Sequence, residues 1–251
     1  MATKRNIFFW VPNFITILGL FSGSLAIFFA IDGHLTLAGI FILLAALFDF
    51  LDGLAARLLH AYSELGKQLD SLADIISFGF APAAILFTLY EFALFGINQP
   101  IQDIEGNWTD WLLLMSAFLI PVFSALRLAK FNISEDQDNN FIGLPVPANA
   151  ILWASLALML GLPEHTEILK LLYTAKNFLI IVVITSFLLI SWIPMFSFKF
   201  NTLSWKLNWY RYLFIFISII LLILLNVYAI PVLFLIYILL NMVFYILKVN
   251  L

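Results

Sequence analysis

Long apolar runs, broken by short polar clusters, set the rhythm of this chain. From residue 9 onward, runs of about 20 residues with few or no charges follow one another, and about 20 apolar residues suffice for a helix to cross the hydrocarbon core of a bilayer. No run shows the alternating apolar and polar positions of a transmembrane β-barrel strand, so helices are expected. The pattern predicts an all-α, polytopic transmembrane helical bundle of about eight spans, at roughly 9–30, 35–59, 68–92, 109–128, 145–162, 177–196, 210–227 and 230–248. Asp32-Gly33, the stretch from Asn98 to Asp110, and Gly161-Leu162-Pro163 mark turns between them. The junction from Asn226 to Pro231 carries the weakest break, and reading through it would leave seven spans and reverse the C-terminus. Lys4-Arg5 before an apolar run resembles a signal peptide, but the run is too long for one and no small-x-small cleavage site closes it. It is expected to stay as the first span. With no internal repeat or low-complexity tract, residues 1–251 read as a single integral-membrane domain.

Charge sets the expected orientation. With the N-terminus inside, the cytoplasmic segments hold Lys4, Arg5, Arg57, Lys67, Arg127, Lys130, Lys199, Lys206, Arg211 and Lys248, while the opposite side holds only Lys170 and Lys176. Cytoplasmic loops carry an excess of Lys and Arg, so both termini are expected in the cytoplasm. Composition agrees with the membrane reading: 64% of residues are hydrophobic and 11% charged, and the mean hydropathy is +1.06. A soluble domain is about half apolar and a quarter charged. The net charge of −3 leaves no basic footprint for nucleic acid. The absence of cysteine excludes thiolate chemistry and disulfides.

Fifteen acids are present, and four of them, Asp49, Asp52, Asp70 and Asp74, fall inside the second and third apolar spans. An ionised Asp at the centre of a membrane helix costs about 2.5–3.5 kcal/mol even on the lenient insertion scale, so four demand compensation. On α-helices, Asp49, Asp52, Gly53 and Ala56 share one face bordered by Arg57, and Gly66, Asp70, Asp74 and Ser77 share one face of the next helix. The link between the two helices is short, so they are antiparallel neighbours and the two carboxylate pairs can face each other. Such a cage of hard oxygen ligands suits Mg²⁺ or Mn²⁺, with Asp49, Asp52 and Asp70 as ligands and Asp74 at the edge. Gly53, Ala56 and Gly66 leave room for a ligand beside it. The alternative, that the acids pair with Arg57, Lys67 and Arg127, suits one buried acid better than four on matched faces.

The stretch reads Asp49-x2-Asp52-Gly53-x2-Ala56-Arg57-x8-Gly66-x3-Asp70-x3-Asp74. It resembles, at all eight fixed positions, the signature of the CDP-alcohol phosphotransferases. The resemblance implies a site with two divalent cations that holds the pyrophosphate of a CDP-activated lipid or alcohol. An acceptor hydroxyl attacks the phosphorus remote from the cytidine, and CMP leaves. The segment from Leu69 to Pro82 is similar to the third helix of bacterial phosphatidylserine synthases. So are Ala125 to Asn132, Phe141 to Ala148 and Pro194 to Lys199 to the corresponding segments, while Pro12 to Thr16 is similar both to these and to the phosphatidylglycerophosphate synthases. The implied substrates are CDP-diacylglycerol and L-serine, and the implied place is the bacterial cell (inner) membrane, with the site facing the cytoplasm. Homodimers are common in the family.

A hydroxyl nucleophile needs a base within hydrogen-bonding reach. The resemblance assigns that role to Asp74, whereas spacing alone does not separate Asp74 from Asp70. The CDP-lipid is expected to meet Asn13, Thr16, Asp52, Gly53, Ala56, Arg57, Gly66 and Asp70. Arg57 can equally be a positive-inside anchor, and Asn13 and Thr16 can simply start a helix. Ser77, Arg127, Lys130 and Asn132 lie on the side expected to bind the acceptor's carboxylate, although interfacial snorkelling also accounts for Arg127 and Lys130. A phosphorylated acceptor, glycerol-3-phosphate or inositol phosphate, would need more basic side chains than this chain offers. An ion transporter would place its acids near mid-membrane between broken helices, whereas these lie toward one side.

Overall fold

The structure is a computed structural model, described over residues 10–133, 140–162, 167–196 and 204–247. Lys4, Arg5, Lys199 and Lys248 lie outside the described residues, as does the side chain of Lys206.

Helix α1 (Trp10–Ile31) turns at Asp32–His34 into α2 (Leu35–Leu58). Gly33, at φ +80, supplies the left-handed step that this tight turn needs. One face of α1 buries Thr16, Gly19, Ser22, Gly23, Ala26 and Ala30. Small residues of this kind let membrane helices approach closely. A Cβ on Gly23 would stand 2.6 Å from the Cα of Ser77, so glycine is what allows the first and third helical stretches to meet.

Ser63 caps α3 (Glu64–Asp74), its Oγ accepting from Gly66 N–H at 3.0 Å. A π-helical turn, Ile75–Phe80, follows directly and leads into α4 (Ala81–Phe95). Pro82 has no N–H for the carbonyl of Phe78, and the helical ladder widens in the turn where that donor is missing. Pro121 acts similarly between α5 (Trp108–Ser116) and α6 (Leu119–Ile133). The Ala117 carbonyl, deprived of its usual donor, instead accepts from Ile120 N–H at 3.2 Å. A capping box of Asn107 and Asp110 starts α5.

Beyond α6 lie α7 (Val146–Leu160), α8 (Glu167–Leu172) and α9 (Ala175–Leu189). Two three-residue strands, β1 (Asn140–Ile142) and β2 (Pro194–Phe196), pair antiparallel, with Phe141 opposite Met195. This ribbon is an addition to the expected all-helical bundle, and it shortens the sixth apolar segment: α9 ends at Leu189, well before residue 196. α7 and α9 have 15 residues each, about 22 Å at 1.5 Å per residue. α7 has Trp153, Ala150, Ala154 and Ala157 fully buried. It is apolar all round because protein surrounds it.

Helix α10 (Trp205–Leu225) is kinked at Asn208, and a short turn at Asn226–Tyr228 leads into α11 (Ala229–Ile246). Ring pairs Phe214–Tyr237 (5.9 Å) and Tyr210–Phe244 (5.7 Å) fall at mirror positions about this turn. The two helices are therefore an antiparallel hairpin, with Asn226 (φ +49) at the reversal. Five helical segments among the described residues are long and apolar enough to cross a membrane: Trp10–Ile31, Leu35–Leu58, Glu64–Phe95, Trp108–Ile133 and Asn208–Ile246. The last of these contains the hairpin.

Candidate active site

α2 and α3 present their acids to one another across a small cleft. One carboxylate oxygen each from Asp49, Asp70 and Asp74 lies within 4.8 Å of the other two. Asp74, expected at the edge, stands inside this group. Asp52 lines the same cleft but is directed at α1. Its Oδ2 accepts from the Thr16 hydroxyl at 2.6 Å. Thr16 also lies 3.0 Å from the Pro12 carbonyl. Its single proton goes to the carboxylate, where the bond is shorter and charge-assisted. Asp52 is only 6% exposed, and Thr16 is the side chain that satisfies it.

Among the described residues, none donates a hydrogen bond to Asp49, Asp70 or Asp74 or forms a direct salt bridge with them. Unit negative charges about 5 Å apart repel by about 3–4 kcal/mol per pair at an effective dielectric of 20. Buried Arg127 acts on Asp74 electrostatically, one positive charge against three negative ones. Hard anionic oxygens at this mutual distance, without nitrogen or sulfur donors among them, fit a hard divalent cation. The group can hold a metal ion.

The remaining expected residues divide by position. Ser77 lines the cleft beside Asp74, and its hydroxyl donates to the Gly19 carbonyl at 3.2 Å. The Asn13 side chain reaches Gly66, where a Cβ would come within 2.7 Å of its Oδ1. A Cβ on Gly53 would meet nothing within 4 Å, so that flank of the site is open, and Ala56 is half-buried one turn on. Arg57 is exposed, and its Nε donates back to the Gly53 carbonyl at 3.0 Å. Lys130 is exposed, with its Nζ 5.5 Å from the centre of the Trp192 ring. Asn132 donates to Ser71 Oγ at 3.0 Å, tying the end of α6 to α3. The structure thus gathers Thr16, Ser77 and the four acids around one cleft, with Arg127 acting on it, while Arg57, Lys130 and Asn132 bond elsewhere.

Sequence reasoning missed two features here. The pairing of Thr16 with Asp52 joins residues far apart in the chain. The π-turn after Asp74 shifts the register of every residue beyond it, and Pro82 was the signal for it. Away from the site, Glu91 sits on α4. It is 2% exposed and accepts from Asn98 Nδ2 at 2.8 Å, pinning the loop after α4.

Mn²⁺ titrated into the purified chain in detergent should bind, followed as loss of the free-ion electron paramagnetic resonance signal. Asp70→Asn should weaken that binding at least about tenfold. Unchanged affinity would remove Asp70 from the ligand set.

Comparison with known proteins supports this chemistry. A family model described as CDP-alcohol phosphatidyltransferase matches residues 9–209. The CDP-diacylglycerol–serine O-phosphatidyltransferase of Helicobacter pylori is 31% identical over 217 residues, covering 86% of this chain and 83% of the relative. The protein of that name from Methanocaldococcus jannaschii is 32% identical over 200 residues, covering 74% and 86%. The one from Mycobacterium leprae is 33% identical over 194 residues, covering 74% and 57%. The matched stretch contains Thr16 and every acid of the cleft, and the chain belongs to the CDP-alcohol phosphatidyltransferase family.

Proposed function

We propose that this chain transfers the phosphatidyl group of CDP-diacylglycerol to the hydroxyl of L-serine, giving phosphatidylserine and CMP. The observation that carries the reading is the convergence of Asp49, Asp70 and Asp74 within 4.8 Å inside the family-matched stretch. Serine as the acceptor is supported by the names of the relatives.

Asp49, Asp70 and Asp74, with Asp52 beside them, would hold two divalent cations, Mg²⁺ or Mn²⁺, and these would neutralise charge on the pyrophosphate. Asp52 keeps its orientation through Thr16. The nucleotide lies along the open flank at Gly53 and Ala56, with Asn13, Gly66 and Arg57 at its border. Arg127, placed to act on Asp74, meets the serine carboxylate. Ser77, Lys130 and Asn132 are the other acceptor-side residues, each held in the free chain by the bonds described above. The serine oxygen forms its bond to the phosphorus remote from cytidine as the bond from that phosphorus to the bridging oxygen breaks. The electron pair leaves with CMP, and the serine proton passes to a carboxylate oxygen of Asp74.

The same reading makes the chain one integral-membrane domain of about eight spans, in the bacterial inner membrane, with both termini and the carboxylate cleft on the cytoplasmic side. Support comes from the one-sided distribution of Lys and Arg and from the hairpin of α10 and α11.

Purified chain given CDP-diacylglycerol and Mn²⁺ or Mg²⁺ should release CMP with serine. Release only with glycerol-3-phosphate or inositol phosphate would refute serine, and no release with any acceptor would refute the transferase reading. Asp74→Asn should lower turnover by about 10²–10⁴-fold while CDP-lipid binding stays within a few-fold. Equal loss of binding and rate would make Asp74 a ligand before a base. In this cysteine-free chain, Lys67→Cys should react with an impermeant thiol reagent only in inside-out vesicles, and labelling of right-side-out cells would reverse the topology.

A further inference from the structure

The four acids of the cleft are not equivalent. One carboxylate oxygen each from Asp49, Asp70 and Asp74 lies within 4.8 Å of the other two, and Asp52 stands outside that group although it lines the same cleft. What engages Asp52 instead is a hydroxyl on another helix: Thr16 Oγ1 donates to its Oδ2 at 2.6 Å. Both partners are buried, Thr16 on α1 and Asp52 on α2. A charge-assisted bond of this length sets the direction of the carboxylate as well as its distance.

The hydroxyl is delivered by the packing of α1. Thr16 belongs to the buried face of that helix. One turn on, a Cβ on Gly19 would stand 3.4 Å from the Cβ of Phe48 on α2, and the Gly19 carbonyl accepts from the Ser77 hydroxyl at 3.2 Å. Thr16, Gly19 and Ser77 all line the cleft with the acids. A single turn of α1 therefore meets α2 on one side and the stretch that follows Asp74 on the other, with Thr16 at its start.

An ionised carboxylate has about four lone-pair sites on its two oxygens, and Thr16 takes one of them. The others stay available to a cation, in the orientation that the Thr16 bond sets. Three converging acids build an ion site by themselves, whereas a lone acid does so only when its direction is fixed. Hard divalent ions such as Mg²⁺ demand near-ideal geometry, so that direction bears on affinity.

We propose that Thr16 is the positioning residue for a second divalent cation. Its hydroxyl reserves Asp52 for that ion, so the two ion positions are unequal and fill in order, the group of Asp49, Asp70 and Asp74 first. Thr16, expected among the contacts of the CDP-lipid, acts on the site through Asp52. This rests on the two-cation reading given above.

Mn²⁺ titrated into the purified chain in detergent should bind in two steps, followed as loss of the free-ion electron paramagnetic resonance signal. The loaded protein should give the spectrum of two coupled ions. Thr16→Val keeps the shape of the side chain and removes the hydroxyl. It should weaken the second step about tenfold or more and leave the first within about threefold. At the Mn²⁺ concentration that loads the wild type, its spectrum should be that of an isolated ion. Thr16→Ser restores the hydroxyl and should recover the second step. Thr16→Ala, which matches the small residues of that face, should behave as Thr16→Val does and serves in its place if the valine variant does not fold. An unchanged second step without the hydroxyl overturns the proposal, as does equal weakening of both steps. A lowered thermal midpoint with both steps intact would make Thr16 a structural clasp and also overturn it. Wild-type protein that binds a single Mn²⁺ fails the two-cation reading and the proposal with it, whereas two coupled ions in wild type and Thr16→Val alike fail the proposal alone.

Discussion

Mutual repulsion among carboxylates is the constraint around which the cleft-bearing half of this bundle is arranged. Three acidic oxygens within 4.8 Å of one another would drive α2 and α3 apart if nothing opposed them. Opposition comes first from packing. The small buried face of α1 lets that helix sit against both, and Gly23 allows backbone-to-backbone approach at Ser77. The Thr16 hydroxyl then fixes the fourth acid, Asp52, from the same face of α1. What remains is an appetite for positive charge, partly met by Arg127.

Much of this was legible in the sequence because its causes are local. Apolar runs give helices whose ends agree with the structure to within a few residues for the first two spans. The i, i+3 and i, i+4 spacing of Asp49, Asp52, Asp70 and Asp74 places each pair on one face of its helix, and the two helices, joined by a short link and both packed against α1, bring the pairs to one cleft. Cost supplied the rest: charges in apolar segments are kept only where something uses them. The ambiguous junction near Asn226 became readable only through Phe214–Tyr237 and Tyr210–Phe244, because a positive φ at a single Asn leaves almost no trace in hydropathy.

What was not legible depends on contacts between distant parts of the chain, or on a donor that is missing. Thr16 looked like a helix-start or nucleotide residue, since nothing near it in the sequence names Asp52 as its partner. Pro82 and Pro121 were visible, but whether a proline bends, widens or ends a membrane helix depends on which neighbour rescues the orphaned carbonyl. At Pro121 the rescuer is Ile120 N–H. The ribbon of β1 and β2 joins segments more than fifty residues apart with three residues each, too short for any alternating pattern to announce. Trp153 had no reading from sequence. Its place is the centre of α7, fully buried, with its ring edge-on to Phe178.

The two sides of the cleft are built in different ways. The acids come from a single stretch of 26 residues, from Asp49 to Asp74, so their geometry is set by two helices and one turn. Such a unit can pass intact among relatives that share little else. The side at Arg127 is assembled from another helix, α6, whose end is tied to α3 through Asn132 and Ser71. On the proposed reading, a substitution that moves α6 would shift the guanidinium while the acids keep their own two helices. A buried arginine is also the side chain most sensitive to such shifts, because its planar fork recognises a carboxylate only in register. On the proposed reading, the reaction therefore resides in the compact unit and the choice of acceptor in the assembled one.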